Sequence, residues 1–445
     1  MADKFLIRAY NVELGDCIYC RIPDARVAQA GDRDFHMLID CGSWGSFAAL
    51  KAAIEHLKED LPDAGHGKKR LDLLVVTHEH KDHIAGFDAD LFSGLAIGDI
   101  WMSTAMNRDH PQSQKTFALQ DFAKRAMRGL AELNLDQSPE IRDLIDVYAV
   151  SNDDAIETLQ KTLPEANGIA PKYVHAGDTA ASLGVQLRDT TITVLGPEDD
   201  IDGYYLGEDP DSSLRGLEET GAPFRVHATG EAVEIPTNIG LADFRRLQSR
   251  MMSNALAFAD EAGSVVNNTS VVLLIEWRGK RLLFVGDAEW DARFKEGKKN
   301  ASWNVMWHLH KDKLQGPLDF LKIGHHGSVN ATPWNDAEDG RETEPSTILE
   351  AILPTQRAHA AKAIASTLRK NYQSIPSSAL LVEIGKRVQN SKLYEDALTA
   401  EGVKLKDLPF FAAREKRWLG EKQPLRTDFE ALLAPDIFVE VEIGE

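Results

Sequence analysis

The chain has 445 residues, of which 43% are hydrophobic, so it can bury a substantial core and is too long for one minimal domain. Its formal net charge of −20 argues against general binding to nucleic acid, although a local basic groove or bound cations would override this. It has only three cysteines, no signal-peptide pattern and no run of the roughly 18 apolar residues that suggest a membrane span. We therefore expect a soluble cytoplasmic protein.

Strand-like and helical patterns alternate along the whole chain. SFAALKAAIEHL has helical spacing, whereas the apolar stretch LDLLVV and the two runs around the turn RGK predict strands. Further on, HAAKAIAST is expected to form a helix and SSALLVEIGKRV a strand. The mixture predicts an α/β layered fold.

The stretch VVTHEHKDHIAGF places three histidines within six residues, next to Asp82. It follows the predicted strand LDLLVV, so the cluster is expected at a strand's carboxyl end, where open α/β sheets carry their chemistry. In an extended loop His78 and His80 project to the same side and can hold one ion. Asp82 and His83 lie past the turn and can hold a second. Such mixed ligands suit Zn²⁺ first, and also Mn²⁺ or Fe.

Two further strand ends carry ligand-type residues in the same format. Asp287 follows LLFVG, and the pair His325 and His326 follows LKIG. Agreement among three strand ends favours one shared site for two divalent ions over an isolated surface cluster of histidines.

These motifs point to a family. THEHKDHIAG resembles the H-x-H-x-D-H signature of the metallo-β-lactamase fold, and VGDAE resembles its bridging-aspartate motif. With VELGD and LKIGHHGS, the chain resembles the branch that includes the hydrolase domain of ComEC-type DNA-uptake proteins and the phosphorylcholine esterases. The resemblance implies an αββα sandwich over residues 1–395, with large insertions at about 105–175 and 198–263. Residues 396–445 would be a C-terminal extension that packs on it.

The resemblance also implies a role for each motif residue. His78 and His80 would hold the first ion, Asp82 and His83 the second, and Asp287 would bridge them. Asp82 therefore counts among the catalytic candidates as well as among the ligands.

The remaining motif residues leave one choice open. One of His325 and His326 would complete the second site, and we prefer His325 because it follows Gly324 directly. His326 would then be catalytic, facing the substrate as a donor to a developing charge. Asp40, at the end of FHMLID, would steady the metal-binding loop.

The chain departs from the superfamily at one ligand position. Many members carry a metal-binding histidine after the strand here formed by TITVLGP, where this chain has Gly196 and Pro197. The first site is then expected to be weaker, or to be completed by a distant residue such as His110 or His175.

The leading functional hypothesis is a phosphodiesterase or nuclease that uses a hydroxide shared by two metal ions about 3.5–4 Å apart. The stretch from Arg293 to Lys313 offers cations for a phosphate backbone and aromatic rings for the bases of single-stranded DNA or RNA. Its alternative interpretation is an amphipathic helix with a solvated, lysine-rich start. The residues concerned are Lys295, Lys298, Lys299, Trp303 and Trp307.

Two other functions stay open. The first is hydrolysis of a small ester, lactone or phosphorylated metabolite, with the acidic insertions as a lid. The second is a regulatory module with a degenerate metal site. The chain could also work with a protein partner in a multi-component system.

Overall fold

The structure is a computed structural model, and it describes residues 4–27, 31–132, 152–206, 262–291, 293–334, 341–358, 360–367, 375–389 and 437–444. Much of the expected insertions at 105–175 and 198–263 lies outside these residues, as does most of the expected extension at 396–445. Those boundaries therefore stay predictions.

Fifteen described strands form three sheets. In chain order they are Phe5–Tyr10 (β1), Ile18–Ile22 (β2), Phe35–Ile39 (β3), Asp63–Gly65 (β4), Lys68–Leu71 (β5), Leu73–Val76 (β6), Leu95–Ile97 (β7), Ile100–Ser103 (β8), Lys172–Val174 (β9), Thr190–Gly196 (β10), Val272–Trp277 (β11), Lys280–Phe284 (β12), Phe320–Lys322 (β13), Lys362–Ile364 (β14) and Phe438–Ile443 (β15). One sheet has the order β15-β1-β2-β3-β6-β8-β9, the second β10-β11-β12-β13-β14, and the small third sheet β4-β5-β7.

The described α-helices lie mainly in the connections between strands. They are Phe47–Asp60 (α1), Lys81–Ile84 (α2), Ala89–Phe92 (α3), Gln114–Glu132 (α4), Asp153–Glu157 (α5), Leu163–Asn167 (α6), Ser302–Leu309 (α7), Lys311–Leu314 (α8), Glu344–Ile352 (α9) and Ser378–Gly385 (α10). The chain switches from antiparallel pairing in β1, β2 and β3 to parallel pairing in β3, β6, β8 and β9.

The two large sheets face each other across a shared core. Phe5 and Trp101 of the first sheet belong to the same buried cluster as Leu273 and Phe284 of the second. Separate clusters cover the outer faces: α1 packs on the first sheet, and α7, α9 and α10 pack on the second. The expected α/β layered architecture is confirmed, with two sheets enclosed between helices.

Two elements near the end of the chain differ from the prediction: the expected helix is a strand, and the expected strand is a helix. HAAKAIAST contains strand β14, which pairs in parallel with β13, and SSALLVEIGKRV contains helix α10. Ser377 caps this helix, because its hydroxyl accepts a hydrogen bond from the N–H of Leu380. A short apolar run that is buried on all sides has no polar face, so its period cannot distinguish helix from strand.

The loop after β3 packs against the start of α2 with no room for a side chain. A Cβ atom on Gly42 would lie 2.1 Å from the backbone nitrogen of His83 and 2.2 Å from the carbonyl carbon of Asp82. The histidine-rich loop is therefore located by backbone contact, and a glycine is required at this position.

We expect Gly42→Ala to destabilise the protein by at least the roughly 1–3 kcal/mol typical of overpacking, and to displace Asp82 and His83. Thermal unfolding and metal content would both fall. Gly45→Ala is the matched control, because a Cβ atom there meets no neighbour within 4 Å. Equal stability and metal content in the two variants would contradict the proposed contact.

Candidate metal centre

The histidine-rich stretch changes conformation between its second and third histidines. His78 follows strand β6 in an extended segment, whereas Asp82 and His83 lie in the single turn of helix α2. His78 and His80 thus lie in the extended part of the stretch, and Asp82 and His83 in its helical turn.

Four buried residues from three loops form a compact ligand set. Ligand atoms of Asp82, His83, Asp287 and His326 all lie within 4.8 Å of one another. His326 Nε2 is 2.9 Å from Asp82 Oδ2, and His83 Nε2 is 3.1 Å from Asp287 Oδ1. Two carboxylates and two imidazoles at this spacing are the donor set of a divalent metal site.

The other two histidines of the stretch lie beside this ligand set, and the ring centroids of His78 and His83 are 4.1 Å apart. His78 Nε2 is 3.9 Å from Asp287 Oδ2 and 3.2 Å from His80 Nδ1. His326 Nε2 is also 3.9 Å from Asp287 Oδ2. The carboxylate of Asp287 therefore has His83 against Oδ1, and His78 and His326 near Oδ2.

In His83 and His326, the ring nitrogen that points away from the ligand set contacts an acceptor. His83 Nδ1 is 2.7 Å from Asp40 Oδ2, and His326 Nδ1 is 3.0 Å from the carbonyl oxygen of Ser366. Both partners only accept hydrogen bonds, so each Nδ1 carries the hydrogen and each Nε2 is left to face the centre. Metal-binding histidines are usually oriented in this way.

Unpartnered nitrogens support the fit to a metal. Within the described part of the chain, His80 Nε2 and His83 Nε2 are buried and make no hydrogen bond. The 3.1 Å contact between His83 Nε2 and Asp287 has the distance of an ion pair but not the hydrogen-bond geometry. Since buried polar atoms are nearly always paired, buried ring nitrogens without a hydrogen bond, one of them beside a carboxylate, fit a bound ion.

The charges of the site balance one another. Burial raises the pKa of Asp287, but His83, His326 and His325 outweigh it and hold the pKa well below its usual range. Burial lowers the pKa of His83, but Asp287 and Asp40 hold it well above its usual range. A proton on His83 thus offsets the negative charge of Asp287 and Asp40, and a binding metal ion would displace such a proton.

His325 and His326 form a left-handed turn that sends their side chains in different directions. Their φ angles are 41° and 52°, which non-glycine residues rarely adopt. His326 is 2% exposed and contacts Asp82, whereas His325 is 26% exposed and has Nδ1 3.4 Å from Glu289 Oε1. The geometry therefore favours His326 as the ligand, the reverse of our preference from the sequence.

Glu289 is a site residue that the sequence analysis did not single out. Its buried carboxylate accepts hydrogen bonds from Ser264, Asn267 and Asn268 and contacts His325. Burial lowers the pKa of His325, but Asp287 and Glu289 raise it to about 9. The sequence did offer a signal for Glu289: it lies two residues after Asp287 in the motif VGDAE.

Asp40 lies behind the metal-binding loop. Its carboxylate accepts hydrogen bonds from the N–H of Thr77 at 2.7 Å and from the Thr77 hydroxyl at 2.6 Å, and it contacts His83. One buried side chain thus fixes both the start of the loop and the imidazole of His83.

The structure places His110 and His175 outside this cluster. His110 Nε2 is 3.0 Å from Asp199, and His175 Nδ1 is 3.0 Å from the carbonyl oxygen of Ala176. Neither residue belongs to the ligand groups found among the described residues. The position left by Gly196 is therefore not taken by either histidine.

The lysine-rich segment after Asp287 is exposed, but Trp303, which follows it, cannot stack on bases. Lys295, Lys298 and Lys299 lie in an irregular segment before helix α7, so they are not the start of that helix. Trp303 is fully buried and donates its indole N–H to the carbonyl oxygen of Ala331. The expected base stacking on Trp303 is therefore wrong, because this ring belongs to the core.

Comparison with known families identifies one segment of the chain. A family model described as the metallo-beta-lactamase superfamily matches residues 26–89. This segment carries a metallo-β-lactamase superfamily domain signature. It includes His78, His80, Asp82 and His83, and the match agrees with the superfamily resemblance of the sequence. The narrower resemblance to the ComEC-type and phosphorylcholine-esterase branch stays a prediction.

Solved structures give only distant similarities. CmlA from Streptomyces venezuelae, a diiron β-hydroxylase, aligns at 11% identity and a TM-score of 0.30 over 91% of this chain and 52% of its own. The chain thus spans about half the length of that protein. Zn²⁺-bound PqqB from Methylobacterium extorquens aligns at 11% identity and a TM-score of 0.33 over 83% of both chains. No curated protein sequence matches the chain significantly.

Among the described residues, none of the helices is both long enough and apolar enough to cross a lipid bilayer.

Replacing Asp287 is expected to empty the centre. Asp287→Ala should lower metal affinity by more than about 100-fold, since even residues that only orient ligands change affinity or activity 10–100-fold. Asp291→Ala, an exposed aspartate in the same segment, is the control. The measurement is metal analysis of both purified variants. If Asp287→Ala keeps the metal content and activity of the parent, the assignment is ruled out.

Proposed function

We propose that this chain is a metal-dependent hydrolase that cleaves phosphodiesters. The observation that carries the proposal is the buried set Asp82, His83, Asp287 and His326, with His78 and His80 beside it. This arrangement would offer enough ligands for two divalent ions that share Asp287. It also weakens the alternative of a degenerate regulatory module.

The residues around the centre would divide the work of hydrolysis. When bound, two divalent ions supply Lewis acidity and a water made nucleophilic near neutral pH. Asp287 would bridge the ions, and Asp82, His83 and His326 would hold the second. Because His325 is partly exposed and is held by Glu289, it would face the substrate and donate a hydrogen bond or proton to its oxygens. We thus transfer to His325 the catalytic role first assigned to His326.

A phosphate substrate fits the local charge better than the net charge of the chain. Lys295, Lys298 and Lys299 are exposed within twelve residues of Asp287, in a protein whose net charge is −20. Phosphate contacts are the main source of affinity for nucleic acids. A nuclease acting on single-stranded DNA or RNA is the narrower form of the proposal.

One observation supports the small-molecule alternative. Helix α4 and Asn152, just before α5, contact the metal-binding loop: Gln120 hydrogen-bonds the partly buried carboxylate of Glu79, and Asn152 donates to the Glu79 carbonyl oxygen at 3.1 Å. Parts of the expected first insertion therefore cover one side of the loop. Such a cover would favour a small ester, lactone or phosphorylated metabolite over a long polymer.

Metal analysis followed by a substrate panel tests the proposal. We expect up to two divalent ions per chain and hydrolysis of bis-p-nitrophenyl phosphate, then of single-stranded DNA or RNA in preference to duplex DNA. Absence of metal would overturn the hydrolase proposal. Cleavage of esters or lactones alone would favour the small-molecule alternative.

The two adjacent histidines should give opposite results. His326→Ala should lose metal, because its Nε2 is aimed at Asp82 and Asp287. His325→Ala should keep metal and lose about 10²–10⁴-fold in rate, the usual range for a proton donor. Metal content and the rate constant kcat are the measurements. Loss of metal in His325→Ala, with retention in His326→Ala, would restore the assignment made from the sequence.

Neutralising the lysine-rich segment separates polymer binding from metal chemistry. The triple substitution of Lys295, Lys298 and Lys299 by Ala should weaken cleavage of single-stranded nucleic acid and reduce its salt slope by up to about 2, since each contact contributes about 0.7. Hydrolysis of bis-p-nitrophenyl phosphate should stay unchanged.

The control for this experiment is Lys51→Ala with Lys68→Ala, on α1 and β5. If the lysine triple and the control cleave single-stranded substrates equally well at all salt concentrations, the segment is only a solvated surface.

A further inference from the structure

Two motif residues without a role in the centre form a buried ion pair behind it. Asp16 of VELGD and Lys322 of LKIGHHGS have side chains that are 2% and 1% exposed, and Lys322 Nζ is 2.5 Å from Asp16 Oδ2. Desolvation of both charges offsets most of their attraction, so apolar residues of similar size are often as stable or more so. Fold stability alone gives a weak reason for such a pair.

The pair contacts the loop that orients His326. Asp16 accepts a hydrogen bond from the hydroxyl of Ser366, at the end of the strand-like stretch AIAS. The carbonyl oxygen of the same Ser366 is 3.0 Å from His326 Nδ1, and Asp16 Oδ1 is 3.8 Å from that nitrogen. Asp16 is thus bonded to Ser366, and the carbonyl oxygen of Ser366 contacts His326.

Backbone contacts tie Asp16 to the other ligand loop as well. The N–H of Asp16 donates to the carbonyl oxygen of Asp82, and the N–H of Gly42 donates to the carbonyl oxygen of Asp16. Ligand atoms of Asp16, Asp40 and His83 also lie within 4.8 Å of one another. Asp16 therefore lies where the loops carrying Asp82, His83 and His326 meet.

We propose that Asp16 and Lys322 are positioning residues that, through Ser366, fix His326 with its Nε2 directed at Asp82 and Asp287. The Lys322 ammonium balances the Asp16 carboxylate, so Asp16 stays an acceptor for the Ser366 hydroxyl in an apolar interior. Removing this support lets the imidazole of His326 rotate, and the second ion loses a well-aimed ligand. The inference rests on the proposed metal centre and assigns its supporting residues.

Ser366→Ala is the least disruptive test, because it keeps the carbonyl group that contacts His326. The adjacent Thr367 is its matched control, since its buried hydroxyl has no hydrogen-bond partner among the described residues. The measurement is titration of metal-free full-length protein with Co²⁺, followed by visible absorption and by competition with a chelator. Neither readout depends on activity.

We expect Ser366→Ala to bind one of two Co²⁺ ions about 10-fold or more weakly, with an altered absorption spectrum, and Thr367→Val to match the parent. Co²⁺ affinity and spectrum in Ser366→Ala equal to those of the parent would overturn the positioning role while leaving the metal centre intact. Failure of the parent itself to bind Co²⁺ would overturn both proposals.

A second pair of variants distinguishes positioning from stability. Lys322→Met leaves the buried carboxylate of Asp16 without its partner, so the thermal unfolding temperature of this variant should fall. Adding Asp16→Leu removes that carboxylate and should recover most of the loss. We expect the double variant to remain about 10-fold or more weaker in Co²⁺ affinity. Recovery of both stability and Co²⁺ affinity would show that the ion pair serves the fold alone.

Discussion

The arrangement of the centre depends on the contacts between the carboxylate of Asp287 and the imidazoles around it. This carboxylate is almost fully buried, and imidazoles from two loops surround it: His83 lies against one oxygen, while His78, His325 and His326 each have Nε2 3.9 Å from the other. An ionised carboxylate at this depth is stable only because cationic groups face it. Metal ions would serve the same electrostatic purpose as the raised-pKa imidazoles of His83 and His325.

Around this carboxylate the protein has two kinds of support. Close backbone packing locates the loops, as at Gly42 against Asp82 and His83. Buried acceptors then set the orientation of each ring: Asp40 holds His83, and the carbonyl of Ser366 holds His326. A ligand whose position and rotation are both fixed loses little entropy when it binds an ion, which is why such supports change metal affinity.

The surroundings of His325 differ from those of the fully buried ligands. His325 and Glu289 form a partly exposed pair beside Asp287, the lysine-rich segment follows in the chain, and helix α4 covers the loop on the side of Glu79. His326 is thus buried against Asp82, whereas its neighbour His325 is partly exposed beside Glu289. The left-handed turn makes this difference possible, because an extended or helical backbone would set the two side chains differently.

The sequence alone determined the α/β class, the strand before the histidines, and the convergence of three strand ends, since these follow from hydrophobic pattern and residue type. It did not determine which of the two late segments forms strand β14 and which forms helix α10, because a run that is buried on all sides shows no hydrophobic period. It also missed which of His325 and His326 turns inward, since positive φ angles depend on the surrounding contacts. The links from Asp16 to Lys322 and Ser366 join residues more than 300 positions apart. Only the tertiary structure decides such contacts, because a buried charge is stable only where the fold places its partner.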